Sequence, residues 1–454
     1  MVDDRWNREN VRMEDETAPL PIRIVVTDDR ERSRVTVFFR LLLAIPHLIV
    51  VLLWGIAAFA VTIILWIALV VEGKAPRTLQ EFVASYLRYA TQVSAYLYLA
   101  AGPYPSFGGA PGYPIDLEID LAPRQSRGRV AARLVLAFPT FLLIAALGGG
   151  LSGGNSAGVT SSSSGSDDWW LNVWGLGGVS LTAAVLAWFA ILVRGRMPLG
   201  LRDLLTYCIG YTAHATGYFL LVTDRYPTTD PARVVPLVAL PPHAVRLELT
   251  DELRRSRLTV FFRFLLAVPH LIWLMLWSML VLILVFPAWI VTFVIGRLPS
   301  SLHRFFTAWI RYSTHVIAFL YVIGGPFPGF TGRAGSYPVD VAFDPPQPQR
   351  RAVTAFRLVL AVPALMLAGA YGSAALVVAL LGWWAALFTS RMPEGLRNLG
   401  AISLRYSAQA TAYLFLVTEA YPYAAPAVRD RPRDVQLELP FGAPAPELAT
   451  IEAL

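Results

Sequence analysis

Charged residues and cysteine are both scarce in this chain of 454 residues. Asp, Glu, Lys and Arg together make up 15% of it and hydrophobic residues 56%, whereas soluble domains contain about 25% charged and about 45–50% apolar residues. This composition excludes an ordinary soluble protein. The single cysteine, Cys208, excludes an intrachain disulfide framework and a cysteine-based metal cluster.

Lys and Arg are also missing from four long apolar stretches, which cover 41–71, 134–193, 264–296 and 358–390. Their only carboxylates are Asp167 and Asp168 in a polar insertion. Ion-coupled transporters usually carry such groups near the bilayer midplane, so this class is disfavoured. The chain also lacks a P-loop, a nucleophile elbow, a zincin motif and a dinucleotide fingerprint. We therefore expect no enzyme, no cofactor and no metal.

One motif occurs four times along the chain. The segments FFRLLLAIPHLI, AARLVLAFPTFL, FFRFLLAVPHLI and AFRLVLAVPALM share an arginine six residues before a proline. Copies one and three are most alike, and so are copies two and four, which indicates that an ancestral pair was duplicated. We expect repeats over 21–116, 117–241, 242–336 and 337–440, between disordered tails at 1–20 and 441–454.

Length and charge together predict a membrane topology. About 40 residues separate Arg34 from Lys74, enough for two spanning helices of about 20 residues each. Copy two carries a Gly/Ser-rich insertion, 148–170, which we place at a hairpin tip outside the cytoplasm. Because Lys and Arg beside membrane helices stay in the cytoplasm, both ends of every hairpin should lie there. The prediction is eight crossings of a bacterial inner membrane, with both termini cytoplasmic; the charged N-terminus predicts no cleavable signal peptide.

The remaining segments predict the cytoplasmic parts. Each copy has a third helix, such as LQEFVASYLRYATQVSAYLYLA, whose tyrosines and arginine suit an interfacial amphipathic helix. The segments PIRIVV, YPIDLEIDL, VRLELT, YPVDVAF and VQLELP alternate with period two and indicate strands. The fold class is therefore a polytopic α-helical membrane protein of four helical-hairpin repeats, with interfacial amphipathic helices and a small cytoplasmic β-sheet.

These motifs together resemble a bacterial family of uncharacterised multi-pass membrane proteins, called domain of unknown function 4389. The resemblance rests on the basic segment, R-x5-P-H-L-I, G-R-x-P-x-G-L and the R-Y helix that runs into L-x-T-D-x-Y-P, and it covers about 20–440. Copy two departs from it by its insertion and by Gly210, where the other copies have arginine. The resemblance implies a membrane location and a repeat architecture, but no activity.

Two sets of residues are candidates for function. The motif arginines should lie at headgroup depth and contact lipid phosphates; these are Arg40, Arg133, Arg263 and Arg357. A GC-rich genome would also explain why Lys74 is the only lysine. The second set could line a pore or hold a ligand, and its members are His47, His270, Gln92, His214, His315 and Gln409. Alternatively, these side chains only hydrogen-bond within the fold.

The function predicted from these observations is a non-enzymatic membrane scaffold or a lipid-interacting protein. The alternative is a passive channel or carrier with a pore between the two pseudo-symmetric halves. A hydrated central cavity would favour the channel, and a dry centre packed with Leu and Ala would favour the scaffold. The expected partners are membrane lipids, anionic ones in particular, and an unidentified membrane protein; we expect no nucleic acid.

Overall fold

The structure is a computed structural model that describes residues 19–148, 178–235 and 242–426. Copies one, three and four each contain a strand, a short helix, a long helix and a third helix, in that order, and copy two has two helices of 16 residues in place of the long helix. Copy one consists of β1 (Ile22–Val26), α1 (Arg34–Phe38), α2 (Arg40–Glu72) and α3 (Arg77–Leu97). Copy two consists of β2 (Ile115–Ile119), α4 (Arg127–Ala131), α5 (Arg133–Gly148), α6 (Val179–Arg194), α7 (Leu199–Phe219) and the extra α8 (Pro231–Val234).

The second half of the chain repeats this order. Copy three consists of β3 (Val245–Leu249), α9 (Arg257–Phe261), α10 (Arg263–Ile295) and α11 (Ser300–Leu320). Copy four consists of β4 (Val339–Phe343), α12 (Arg351–Ala355), α13 (Arg357–Thr389) and α14 (Glu394–Leu414). The fourfold repetition found in the sequence is therefore confirmed in the order of the secondary structure.

The predicted hairpins of copies one, three and four are wrong, because α2, α10 and α13 are each one continuous helix of 33 residues. The middle of the apolar stretch in copies one and three lacks the Gly, Pro, Asn and Asp clusters that reverse a chain, so the helix continues. In copy four, Gly369 and Gly372 lie within the continuous helix. All three are long and apolar enough to cross a membrane, but the described residues do not form eight crossings. In copy two, α5 and α6 of 16 residues each flank the insertion, which lies outside the described residues.

The third helices form the centre of the protein, which corrects the prediction that they lie on the membrane interface. Tyr89, Tyr211 and Tyr312 are each 0% exposed, and Tyr406 is 2% exposed. Each third helix packs against the long helix of its own copy and against a strand. The third helices are amphipathic, as predicted, but their apolar faces are covered by other parts of the protein.

The strands form two antiparallel sheets of two strands each, where we predicted one small sheet. β1 pairs with β2, with Ile24 opposite Leu117, and β3 pairs with β4, with Leu247 opposite Val341. Four of the five predicted strand segments are confirmed, and VQLELP lies outside the described residues. Ion pairs of Arg23 with Glu118 and Asp120 cover the exposed face of the first sheet, so this face is polar.

The long helices of each odd–even pair run antiparallel. Arg34 at the start of copy one donates to the carbonyl of Val193 at the end of copy two, at 3.1 Å. At the opposite end, Lys74 pairs through a backbone bridge with Arg124. The two halves meet where α13 packs on α5 and α6. The protein thus has three layers: polar sheets, central third helices and apolar long helices.

Candidate functional site

The most unusual surface of the protein is the outer face of the long helices. On α2 the buried side chains follow one stripe, which includes Ala44, Ala58, Leu65 and Leu69, and this stripe faces the third helix. The rest of the circumference is exposed and apolar. These exposed side chains run along the whole helix and include Leu41, Leu42, Leu52, Leu53, Ile56, Phe59, Ile63, Ile67 and Val71, all 49% exposed or more.

The same face recurs on the other long helices. On α10, Met275, Met279 and Leu282 are 58%, 57% and 65% exposed, and they occupy the positions equivalent to Leu52, Ile56 and Phe59 of α2. Only 17% of the most apolar window is buried in α2 and α10, against 39% in α13. The difference arises because α13 lies at the contact between the two halves.

Exposed cations lie at both ends of this apolar face. In each odd–even pair of copies, the start of one apolar helix lies beside the end of its antiparallel partner. The cations at these two positions form one group, and we call the four groups the basic ends. They comprise Arg30, Arg34, Arg194 and Arg196; Lys74, Arg124, Arg127 and Arg129; Arg254, Arg257 and Arg391; and Arg297, Arg350 and Arg351.

In three of the basic ends, one arginine caps the neighbouring helix, as Arg34 does by donating to the carbonyl of Val193. Arg257 donates to the carbonyl of Phe388 at 2.9 Å, and Arg351 donates to that of Val294 at 3.1 Å. Cations at a helix C-terminus are favourable because they meet the negative end of its dipole. These capping guanidinium groups nevertheless stay exposed at the rim of the apolar face. Other arginines of the basic ends are paired with carboxylates: Arg196 with Glu31, Arg129 with Asp224 and Arg350 with Glu419.

The motif arginines predicted to contact lipid are inside the protein. Arg40, Arg133, Arg263 and Arg357 are 3%, 2%, 1% and 1% exposed. Each donates to carbonyls at the end of a third helix, as Arg40 does to Tyr96, Ala101 and Gly102 at 2.7 to 2.9 Å.

Each of these guanidinium groups also stacks on an aromatic ring, at 4.0 to 4.5 Å from its centre. This placement argues against their contact with lipid headgroups, because the cations are enclosed and their terminal nitrogens donate to groups inside the protein. Their role is to cap the third helices.

His47 and His270 occupy two separate aromatic boxes rather than one site. The Nδ1 atom of His47 lies 2.6 Å from the hydroxyl of Tyr89, and its ring packs on Tyr104 and Phe107. His270 has the same arrangement with the hydroxyl of Tyr312, at 2.8 Å. Both imidazoles are 0% exposed, so the structure does not bring them together around a pore.

The other four predicted residues tie the third helices to the strands. Gln92 donates to Asp116 at 3.1 Å, and His315 lies 2.9 Å from Asp340 in the equivalent position. Burial alone would raise the pKa of Asp340, but hydrogen bonds from His315 and from backbone amides hold that pKa below its usual range. The carboxylate is therefore a charged structural anchor.

In the even copies, Gln409 donates to the carbonyl of Val245 at 3.0 Å, and His214 hydrogen-bonds to the backbone of Ile22. All four side chains thus join a third helix to a strand, and they do not form a ring around one vestibule. Asp116 and Asp340 were missed at the sequence level, although they recur at the same place in YPID and YPVD.

The contact between the halves is dry and closely packed within the described residues. Ala364, Leu367, Ala370 and Ala374 of α13 belong to one hydrophobic cluster with Leu143, Leu147, Ala183 and Ala187 of copy two. In the same part of the chain, no three His, Cys, Asp or Glu side chains are grouped so that they could hold a metal ion. The described part of this contact is therefore packed with Ala and Leu side chains.

Comparison with known proteins gives a family but no activity. Neither the curated proteins nor the solved structures contain a match to this chain. The family described as domain of unknown function (DUF4389) matches residues 34–108, 169–229, 257–328 and 351–425, which together make up more than half of the chain. Each match covers the long and third helices of one copy, or part of them. The chain belongs to the DUF4389 family, as four tandem copies of its unit.

Proposed function

We propose that this protein is a non-enzymatic membrane scaffold that binds lipid through the outer face of its long helices. The observation that carries the proposal is the continuous apolar face bounded by basic ends. A helix of 33 residues is about 50 Å long and about 10 Å wide, so each long helix presents about 500 Å². One helix alone equals the largest apolar patch of a typical soluble monomer, which is about 300–600 Å².

The chemistry of this face favours lipid over a protein partner. Its large exposed side chains are Leu, Ile, Val, Phe and Met, with Trp66, Trp273 and Trp384 among them, and few of them carry the polar groups that usually fix the register of a protein interface. Full burial of one such side chain contributes about 1.5–3 kcal/mol, so the whole face would hold the protein very strongly on a bilayer. The basic ends add attraction to anionic headgroups, at about 1 kcal/mol for each cation near the surface.

The basic ends also support a location at the cytoplasmic leaflet of a bacterial inner membrane. Lys and Arg beside membrane segments are retained on the cytoplasmic side, and all four groups would then face the cytoplasm together with both termini. A second membrane protein as a partner stays a prediction. The passive channel is less well supported, because the described contact between the halves is packed with Ala and Leu.

The experiment compares two sets of substitutions in a flotation assay. The first introduces six carboxylates into the middle of the apolar face: L52D, I56D and F59D on α2, with M275D, M279D and L282D on α10. An Asp at the centre of a membrane segment costs about 2.5–3.5 kcal/mol, so the variant should remain at the bottom of a sucrose gradient while the wild type floats with vesicles.

The control places a carboxylate on the sheet side, T27D, where Thr27 is exposed and far from the apolar face. This variant should float like the wild type. Circular dichroism in detergent checks that both variants are folded. Undiminished flotation of the folded six-site variant would refute the proposed function.

A further inference from the structure

We propose that the long helices lie in the plane of one leaflet and do not cross the bilayer, so that all four basic ends contact anionic headgroups of the same leaflet. This inference rests on the proposed function, since it concerns the orientation of the same face. Three independent features carry it: the depth of the sheets, the length of the helices and the distribution of cations.

The sheets lie level with the middle of the long helices. Ser278, near the middle of α10, accepts a hydrogen bond from the indole of Trp309 at 3.0 Å. Two residues further along the third helix, Arg311 donates to the carbonyl of Val341 in β4 at 3.1 Å. A chain of direct contacts thus runs from the centre of the long helix through the third helix to the strand.

Copy one repeats this chain of contacts. Gly55, in the middle of α2, lies directly beneath the hydroxyl of Tyr86, and Arg88 donates to the carbonyl of Leu117 in β2 at 3.1 Å. If α2 crossed the bilayer, β2 would therefore be at mid-depth, together with the exposed ion pairs of Arg23. Open strand edges and exposed charges are not tolerated in hydrocarbon, so the crossing orientation conflicts with this fold.

The length of the helices also argues against a crossing orientation. The hydrocarbon core is about 30 Å thick, and an apolar helix of about 50 Å would have to tilt by about 50° to fit within it. Membrane-spanning helices tilt by about 20° on average and by up to about 40°. An in-plane helix has no such length limit, and the apolar face of α2 continues without interruption from Leu41 to Val71.

The cations exclude a crossing orientation on separate grounds. The paired helices are antiparallel, and basic residues lie at both ends of each pair, as with Arg34 against Val193 at the end of α6 and Lys74 beside Arg124. Crossing helices would place about half of these cations outside the cytoplasm, against the distribution that orients membrane proteins. In-plane helices place all of them at one headgroup surface.

Exposed aromatic rings are found at the same ends. Phe38 and Phe39 precede α2, and Phe261 and Phe262 precede α10, all 43% to 59% exposed. Bulky apolar side chains beside cations are typical of helices that lie in the boundary between headgroups and acyl chains. The bilayer that fits this surface is therefore one whose facing leaflet contains anionic phospholipid.

The test uses two cysteines in one molecule, in a C208A background, within sealed vesicles of phosphatidylglycerol and phosphatidylcholine. D29C lies before the long helix of copy one and E72C at its end. A membrane-impermeant maleimide is added outside, and intact mass gives the number of labels per molecule. The pair E252C and R297C repeats the experiment in copy three, and labelling after detergent treatment shows that both cysteines can react.

In-plane helices predict molecules with two labels or none, according to the side from which each protein was inserted. Helices that cross once predict molecules with one label, which would overturn the inference while leaving membrane binding intact. Vesicles that carry no protein would instead overturn the proposed function. The two failures are thus distinguishable.

A third probe separates in-plane helices from membrane hairpins, which would also give two labels or none. A fluorophore on I56C in the same background reports the depth of the middle of α2. In-plane helices predict strong quenching by lipids that carry a nitroxide near the headgroup, equal to that of a fluorophore on V71C. If the fluorophore on I56C were quenched only by a water-soluble agent in the opposite compartment, the inference would be overturned.

Discussion

Two rows of arginines, six residues apart in every copy, have opposite surroundings. Arg40, Arg133, Arg263 and Arg357 form the buried row, which is enclosed by carbonyls and aromatic rings. Arg34, Arg127, Arg257 and Arg351 form the exposed row, at the rim of the apolar face. The first row holds the third helices to the long helices, and the second is available to a membrane.

The comparison teaches that recurrence in a sequence does not by itself distinguish a binding residue from a structural one. Both rows repeat four times with the same residue type. They differ because the chain breaks between the short and the long helix at Phe39, Ala132, Phe262 and Phe356, and the break turns the second arginine towards the core. Only the three-dimensional contact with the third helix shows which row is buried.

The largest effect is expected from the buried row. In R263M, the carbonyls of Phe319, Gly324 and Gly325 lose their donor, and a buried acceptor left without a donor costs about 1–3 kcal/mol. Chemical denaturation in detergent should show this loss. The matched variant R257Q from the exposed row should stay within about 1 kcal/mol of the wild type, and equal stabilities of the two variants would break the comparison.

A second prediction concerns how the stability of the protein depends on pH through a buried histidine. Burial lowers the pKa of His214 to about 4, below the usual value of about 6.5. The unfolded chain therefore binds a proton at a higher pH than the folded one does. The free energy of unfolding should fall as the pH drops from about 6.5 to about 4, by about 3 kcal/mol in total.

The matched variant is H214Q, which copies the residue found at the equivalent position of copy four, Gln409. Denaturation curves between pH 7 and pH 4 should lose the His214 contribution to this slope in the variant. Burial also lowers the pKa of His47, His243, His270 and His303, so these residues keep part of the slope. An unchanged slope would show that another group is responsible. Arginines do not titrate in this range, so lipid binding by folded protein should remain constant.

The third prediction concerns the exposed row. Replacing Arg34, Arg127, Arg257 and Arg351 with Gln should weaken binding to anionic vesicles by about 1 kcal/mol for each cation, which is about fivefold each, at low salt. Binding to neutral vesicles should hardly change, and the salt dependence should become shallower. Titration with vesicles of increasing phosphatidylglycerol content measures this, and equal loss on neutral vesicles would contradict it.

The smallest effect is expected from an exposed arginine on the opposite side. Arg23 pairs with Glu118 and Asp120 on the polar sheet, away from the apolar face. R23Q should leave vesicle binding unchanged at every lipid composition in the same titration. If R23Q weakened vesicle binding as much as the substitutions in the exposed row do, binding would depend on the net charge of the protein and not on where its arginines lie.

Much of the architecture could be predicted from the sequence, because it depends on local patterns. The four copies, the odd–even pairing, four strand segments and the apolar character of the long helices all follow from repetition and periodicity. The hairpins could not be predicted correctly, since residues 41–71 provide the right length for two helices but only an isolated glycine, Gly55, in the middle and no cluster of turn residues. Length and charge were used to infer a reversal of the chain that the local residues do not support.

The candidate site was harder to predict than the fold. His47, Gln92, His214 and their equivalents recur as functional residues would, yet they serve contacts between elements that are distant in sequence, such as Gln92 with Asp116. In a repeat protein, residues that make structural contacts recur in every copy, just as residues of a binding site would. The exposed arginines were visible as cations, but their position at the rim depends on the antiparallel pairing of copies, which no local pattern reveals.

The layer of long helices has a mechanical consequence for a bilayer. Each helix that lies in one leaflet occupies about 500 Å² of that leaflet and nothing of the other, so the two leaflets acquire unequal areas. A bilayer relieves unequal areas by bending towards the expanded side, and in-plane helices accordingly bind more strongly where the surface is already convex. We therefore expect this protein to gather on small vesicles in preference to large ones of the same composition.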